Sequence, residues 1–198
     1  MWLLCLQYFF LSYGFFFYVS FYPEYIKTGR GVEGTLAAVL DGTPLFFMGL
    51  GSLFCGFFLA RLTTWLGSSF RARRLMAIAG FLGACSFLLL SIQIRDPLLA
   101  VAVLGLAGFS NDLAMPPSWG AAMDIGGRYA GSLSATMNMV GCAGGGASPI
   151  VIGYLRGAGQ SWDAVFYMSA AAYFLGFVCW LFLDPVTPIE PDPEEVKA

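Results

Sequence analysis

An all-α fold, a polytopic membrane bundle of six transmembrane helices, is what this sequence predicts, and three observations carry it. The 198 residues are 58% hydrophobic and only 11% charged, where ordinary soluble domains carry roughly 25% charged residues. Six apolar segments reach the ~20 residues that a bilayer crossing needs. Residues 138–152, Asn-Met-Val-Gly-Cys-Ala-Gly-Gly-Gly-Ala-Ser-Pro-Ile-Val-Ile, hold four glycines and a proline without a charge. In water each interior Gly costs a helix about 1 kcal/mol against Ala, and Pro about 3. In a bilayer small residues instead let helices approach closely, and neighbours satisfy what Pro frees.

The six spans are expected at residues 2–22, 35–60, 75–94, 98–123, 129–155 and 162–183. The first has no Lys or Arg before Lys27 and no convincing cleavage site, so it reads as a retained span rather than a signal peptide. Short connections leave no room for a soluble module, so residues 1–183 form one membrane domain and residues 184–198 a polar tail. Gly127, Gly131, Ser134, Asn138, Gly141, Gly145 and Ser148 recur at steps of four and three. That spacing is one face of one helix, a packing face around Gly131, Gly141, Gly145 and Pro149 with a single amide in it.

Six spans place both termini on one side. That side holds Arg61, Arg71, Arg73, Arg74, Arg128 and Lys197; the other holds Lys27, Arg30, Arg95 and Arg156. The bias, concentrated in one loop, predicts cytoplasmic termini in a cell membrane.

Candidate chemistry is sparse. No histidine is present, which removes His relays and common zinc sites. The five cysteines lie in apolar spans without metal-ligand spacing and read as packing residues. No metal, cofactor or nucleic-acid partner is expected. Asp112 lies near the middle of the fourth span beside Asn111, where an acid faces a polar interior or marks an ion path. Two readings stand: a site for a coupling ion, or a carboxyl hydrogen-bonded to a neighbouring helix. Pro116 and Pro117 deprive the carbonyls of Asp112 and Leu113 of their helical donors, leaving open acceptors beside the acid. Trp119, seven residues on, falls on nearly the same face. Asn138 has either a substrate or a helix to bond, and Tyr13 is a polar candidate for the inner face of an aromatic first span. Asp41, nearer the surface, reads as a solvated helix end. Asp124 and Arg128 stand four apart at the junction of the fourth and fifth spans, within reach of one another or of neighbouring helix ends.

The run Trp119-Gly-Ala-Ala-Met-Asp-Ile-Gly-Gly-Arg-Tyr-Ala-Gly, continued by Ser-Leu-Ser-Ala-Thr-Met-Asn-Met-Val-Gly141 and by Gly144-Gly-Gly-Ala-Ser-Pro149, resembles the tenth-to-eleventh helix region of the major facilitator superfamily. It is most similar to the anion:cation symporter branch, which includes hexuronate, glucarate, galactonate and sialic-acid transporters. Gly51-Ser-Leu-Phe-Cys-Gly56 with Arg61 and the arginines after it is similar to the second copy of that superfamily's cytoplasmic loop signature, with Ala60 where an acid is usual. The resemblance implies the C-terminal six-span half of a twelve-span transporter, with the first and fourth spans lining its cavity and Arg61, Asp124 and Arg128 at its cytoplasmic gate.

The expected function is secondary transport of a small organic anion, a sugar acid or similar carboxylate, coupled to a proton or sodium ion. It needs a partner, either an N-terminal six-span half or a second copy. The alternative is a truncated or non-transporting membrane protein that packs against another transporter. Hydrolytic chemistry finds no Gly-x-Ser-x-Gly motif and no histidine.

Overall fold

The computed structural model describes residues 1–159 and 161–189. The end of the expected polar tail, residues 190–198 with Lys197, lies outside them. The helices are α1 (Trp2–Ser20), α2 (Tyr22–Glu24) running into a wide turn (Tyr25–Gly29), α3 (Gly34–Asp41), α4 (Thr43–Leu66), α5 (Ser69–Gln93), α6 (Pro97–Leu113), α7 (Met115–Gly126), α8 (Ala130–Gly157) and α9 (Trp162–Phe182). No strand occurs among the described residues.

Five helical stretches are long and apolar enough to cross a membrane. One of them, Pro97–Gly157, runs to 61 residues, about 90 Å if straight and three times the thickness of a bilayer core. It is not straight. Gly127 adopts φ +48°, a conformation open to glycine and strained for other residues, and α7 turns back to pack on α8. This stretch therefore supplies two of the six expected crossings.

Two groups of helices build the bundle. α1 packs along α8 and α9, α6 packs between α4 and α5, and α5 against α9 joins the groups. Small residues set the closest approaches: a Cβ on Gly144 would run into the Phe9 carbonyl of α1, and one on Gly51 into that of Phe109 in α6. The core is continuous from Leu4 through Phe81 and Tyr173 to Trp180. α4 is the outlying helix; Phe57 is 74% and Trp65 88% exposed on its outer side.

Three sequence expectations change. Residues 69–74 are helix rather than loop: Ser68 caps α5 by accepting from the Arg71 amide at 3.4 Å, and arginines extend a helix well while their long stems reach polar surroundings. Gly127 does not belong to the small-residue face, because it forms the turn before α8. The face itself meets α1: Gly141 lies against Tyr8 and Ser12, and Gly145 against the Phe16 ring, whereas Gly131 has open space around it. Pro149 sits inside an unbroken α8.

The face that holds the α1–α2 connection is closed by cations. Arg30 donates to the Tyr25 hydroxyl and to the Ser91 and Ile94 carbonyls that end α5. Arg156 lies 4.3 Å over the Trp162 ring, whose Nε1 donates to Thr28.

Candidate substrate and ion site

The site begins at the break in the fourth span. Pro116 and Pro117 cannot donate to the turn before them, and the helix stops at Leu113 and restarts at Met115. The Leu113 carbonyl finds a donor in the Cys55 thiol of α4 at 3.3 Å. The Ala114 carbonyl takes the Ser118 hydroxyl at 2.7 Å. The packing reading of the cysteines holds for the buried Cys5, Cys55 and Cys179 but not for the exposed Cys142, and it misses this bond, for which the carbonyl four residues before Pro117 was the signal.

Asp112 lies at this joint and is 8% exposed. Asn111 Nδ2 donates to its Oδ1 at 2.9 Å, and Asn111 Oδ1 accepts from the Tyr173 hydroxyl of α9 at 3.0 Å. The amide is therefore held with its donor toward the carboxyl. Tyr173 escaped sequence reasoning, since a lone tyrosine in an apolar span gives no signal of what it faces.

Beside the joint is a cavity of about 160 Å³ between α1, α6 and α8, lined by Tyr8, Ser12, Phe16, Asn111, Asn138 and Cys142 among others. It brings Asn111 and Asn138 together. Trp119 stands behind its wall and donates Nε1 to the Tyr8 hydroxyl oxygen at 3.0 Å, edge-on at 5.9 Å. That bond occupies an acceptor site on Tyr8 and leaves its O–H free to donate. Asn111 lines the cavity, and Asp112, to which it donates, does not. Tyr13 is buried away from the cavity, and its hydroxyl has no hydrogen-bond partner. The lining positions Tyr8, Leu11, Ser12, Phe15 and Phe16 follow a three-four step that Tyr13 does not share. None of the lining side chains is cationic.

A second polar knot lies at Gln7 of α1. Gln7, fully buried, accepts from Ser118 at 3.2 Å and from the Trp180 indole at 3.1 Å, and donates to the Leu4 carbonyl at 3.0 Å. It links α1, α7 and α9.

At the end of the bundle where α1 begins and α9 finishes, Asp124 pairs with Arg73 at 2.6 Å. Arg73 Nη1 also reaches the carbonyls of Gly120 and Pro185. The four-residue spacing pointed to Arg128, but Arg128 stacks 4.8 Å over Tyr129, because the turn at Gly127 carries it off the α7 face. Arg61 is exposed near the end of α4, in a hollow with Phe58 and Trp65. The structure brings Asp124 to Arg73 and does not bring Arg61 to either. No group of three or more potential metal ligands occurs among the described residues.

The model of the Major Facilitator Superfamily matches residues 4–198. The chain belongs to that superfamily. A probable sulfoacetate transporter of Cupriavidus necator is 28% identical over 195 residues, covering 98% of this chain and 45% of that protein. A chloroplastic ascorbate transporter of Arabidopsis thaliana is 27% identical, covering 90% of this chain and 33% of that protein. A D-galactonate transporter of Escherichia coli is 26% identical, covering 84% and 38%. The chain spans less than half the length of these curated relatives. These relatives are named as transporters rather than enzymes, and with its apolar helices this chain is a multi-pass membrane protein of that superfamily.

Proposed function

We propose that this chain is the six-helix half of a secondary transporter for a small organic anion, working with a second six-helix unit. The observation that carries this reading is the cavity between α1, α6 and α8, with Asn111 in its wall bonded to Asp112 beside a broken helix. Broken helices near mid-membrane are how transporters hold substrate and ions. The relatives named for sulfoacetate, galactonate and ascorbate support an anion as the cargo.

The chemistry of the lining divides the work. Tyr8, Ser12 and Asn138 supply neutral donors, and no Lys or Arg is present. They suit the hydroxyls or carbonyls of a sugar acid, while its negative charge is met by cations of the second unit. Asp112 repels an anion and attracts a proton or sodium ion, which gives it the coupling role. The coupled cycle is a rocking of the two units, with Ala114 as a local joint. Both termini face the cytoplasm, where the Arg73–Asp124 contact helps hold the inner end of the bundle.

The test pairs this chain with the first six helices of the Cupriavidus necator relative in proteoliposomes and measures uptake of labelled sulfoacetate and galactonate. Uptake by the pair, with KM raised about fivefold in Tyr8→Phe and Asn138→Ala and kcat little changed, is expected, since each loses roughly one hydrogen bond worth ~1 kcal/mol. Uptake insensitive to both substitutions overturns the assignment of the cavity.

A further inference from the structure

Three buried oxygens away from the cavity lining have no hydrogen-bond partner: the hydroxyls of Tyr18 and Tyr22 and Oδ1 of Asp41. Such groups are rare in folded proteins and call for water or a functional reason. Their arrangement is not random. Gly14, Tyr18 and Tyr22 follow at steps of four along α1 and into α2, so they stack on one face. Gly14 is the seat of the Tyr173 hydroxyl, where any Cβ would collide with the phenol. The rings of Tyr18 and Tyr22 are 6.3 Å apart. Tyr173 is within electrostatic range of both Tyr18 and Asp112, as Tyr22 is of Asp41. Asp41 ends α3 and is half-exposed, so one end of its carboxylate meets the interior and the residue meets the surface.

We infer that these groups form a proton path, Asp41–Tyr22–Tyr18–Tyr173, from the face carrying the α1–α2 connection to Asp112, separate from the substrate cavity. This rests on the reading of Asp112 as the coupling residue. Bulk water supplies the proton to Asp41. At each hop one O–H bond breaks as the next forms, every hydroxyl ends as it began, and Asp112 gains the proton. An amide keeps its hydrogens, so Asn111 orients the carboxyl rather than relaying, and the last hop from Tyr173 runs through water beside it. The other titratable groups facing the path are Tyr25 and Arg30 toward Tyr22, Cys85 toward Tyr173 and Tyr8 toward Asp112. Arg30 is engaged by Tyr25 and the end of α5, which keeps this cation from sealing the entrance.

The experiment follows the carboxylic-acid C=O band of Asp112 by infrared spectroscopy of the full chain in lipid nanodiscs, assigned by its loss in Asp112→Asn. Cys142, exposed in the cavity, is first capped with a bulky maleimide so that the cavity route is plugged. Deuterium exchange of the band is expected to slow at least tenfold in Tyr18→Phe, Tyr22→Phe and Asp41→Asn. Tyr13→Phe, whose buried hydroxyl lies off the path, is the control and is expected to exchange like wild type. Wild-type rates in the three path variants overturn the path while leaving the coupling role of Asp112 standing. A spectrum with no band that Asp112→Asn removes, at any pH from 4 to 9, overturns the coupling role itself and the path with it.

Discussion

Replacing Gln7 with Leu separates a structural hydrogen-bond hub from mere filling of space. The side chain is fully buried between α1, α7 and α9, and Leu keeps nearly its volume. Three bonds are lost, but their consequences differ. Ser118 keeps its shorter bond to the Ala114 carbonyl, and the Leu4 carbonyl lies in the first turn of α1, where the helix supplies an amide. Only the Trp180 indole, fully buried, is left without an acceptor. An orphaned buried donor costs about 1–3 kcal/mol, while side-chain bonds in membrane bundles average about 0.6. The expected destabilisation is therefore about 1.5 kcal/mol, near the low end of the first range. Trp180→Phe, which keeps an aromatic ring and removes the donor, is expected to recover most of that loss when combined with Gln7→Leu. A double-mutant cycle by reversible unfolding in detergent measures both. Additive costs, or a Gln7→Leu variant as stable as wild type, refute the claim that the Trp180 bond is what Gln7 supplies.

Gly144→Leu places a branched side chain against the Phe9 backbone, and over-packing is expected to cost about 1–3 kcal/mol. Gly146→Leu, with open space around it, is the neutral control in the same thermal-shift assay. Arg73→Ala is expected to speed amide exchange in residues 120–126 and 186–189 while leaving α1 unchanged, because it removes the bridge from Asp124 and Gly120 to Pro185; equal exchange in wild type and variant contradicts this. Asp184, beyond the last span, accepts from the Thr187 hydroxyl and from the amides of Val186 and Thr187, which hold its carboxyl below the ordinary carboxylate value. A depressed acid stabilises its turn above the unfolded value of about 3.9 and loses that effect as pH falls through the folded value. NMR titration of the Thr187 amide is expected to show a midpoint below about 3.9, moving up in Thr187→Ala; an unmoved midpoint removes the cause.

Much of the fold was legible because bilayer chemistry writes itself into composition. Apolar runs of fixed length gave the crossings, and Pro116–Pro117 gave the break in the fourth one. The small-residue face of α8 was readable as a packing face, but its partner was not, since nothing in a glycine says whose backbone it meets. The start of α5 was misjudged because arginines were read as loop residues, although Ser68 was there as a cap. In the site, Asn111 and Asn138 fall on one cavity, yet Tyr8 fills the place given to Tyr13. One residue of helical phase decides that, and an unbroken aromatic run hides the phase. Asp124 found Arg73 instead of Arg128 because the pairing depends on a turn geometry at Gly127 and on a helix 51 residues away in sequence.

Gradient-driven uptake tests whether Asp112 couples ion movement to anion transport. This chain, paired with a second six-helix unit in proteoliposomes under an imposed pH or sodium gradient, is assayed for accumulation and for substrate exchange at equal concentrations. Asp112→Asn keeps the size and the bond to Asn111 but removes the charge. Loss of accumulation with exchange retained is the expected result; accumulation equal to wild type contradicts the claim.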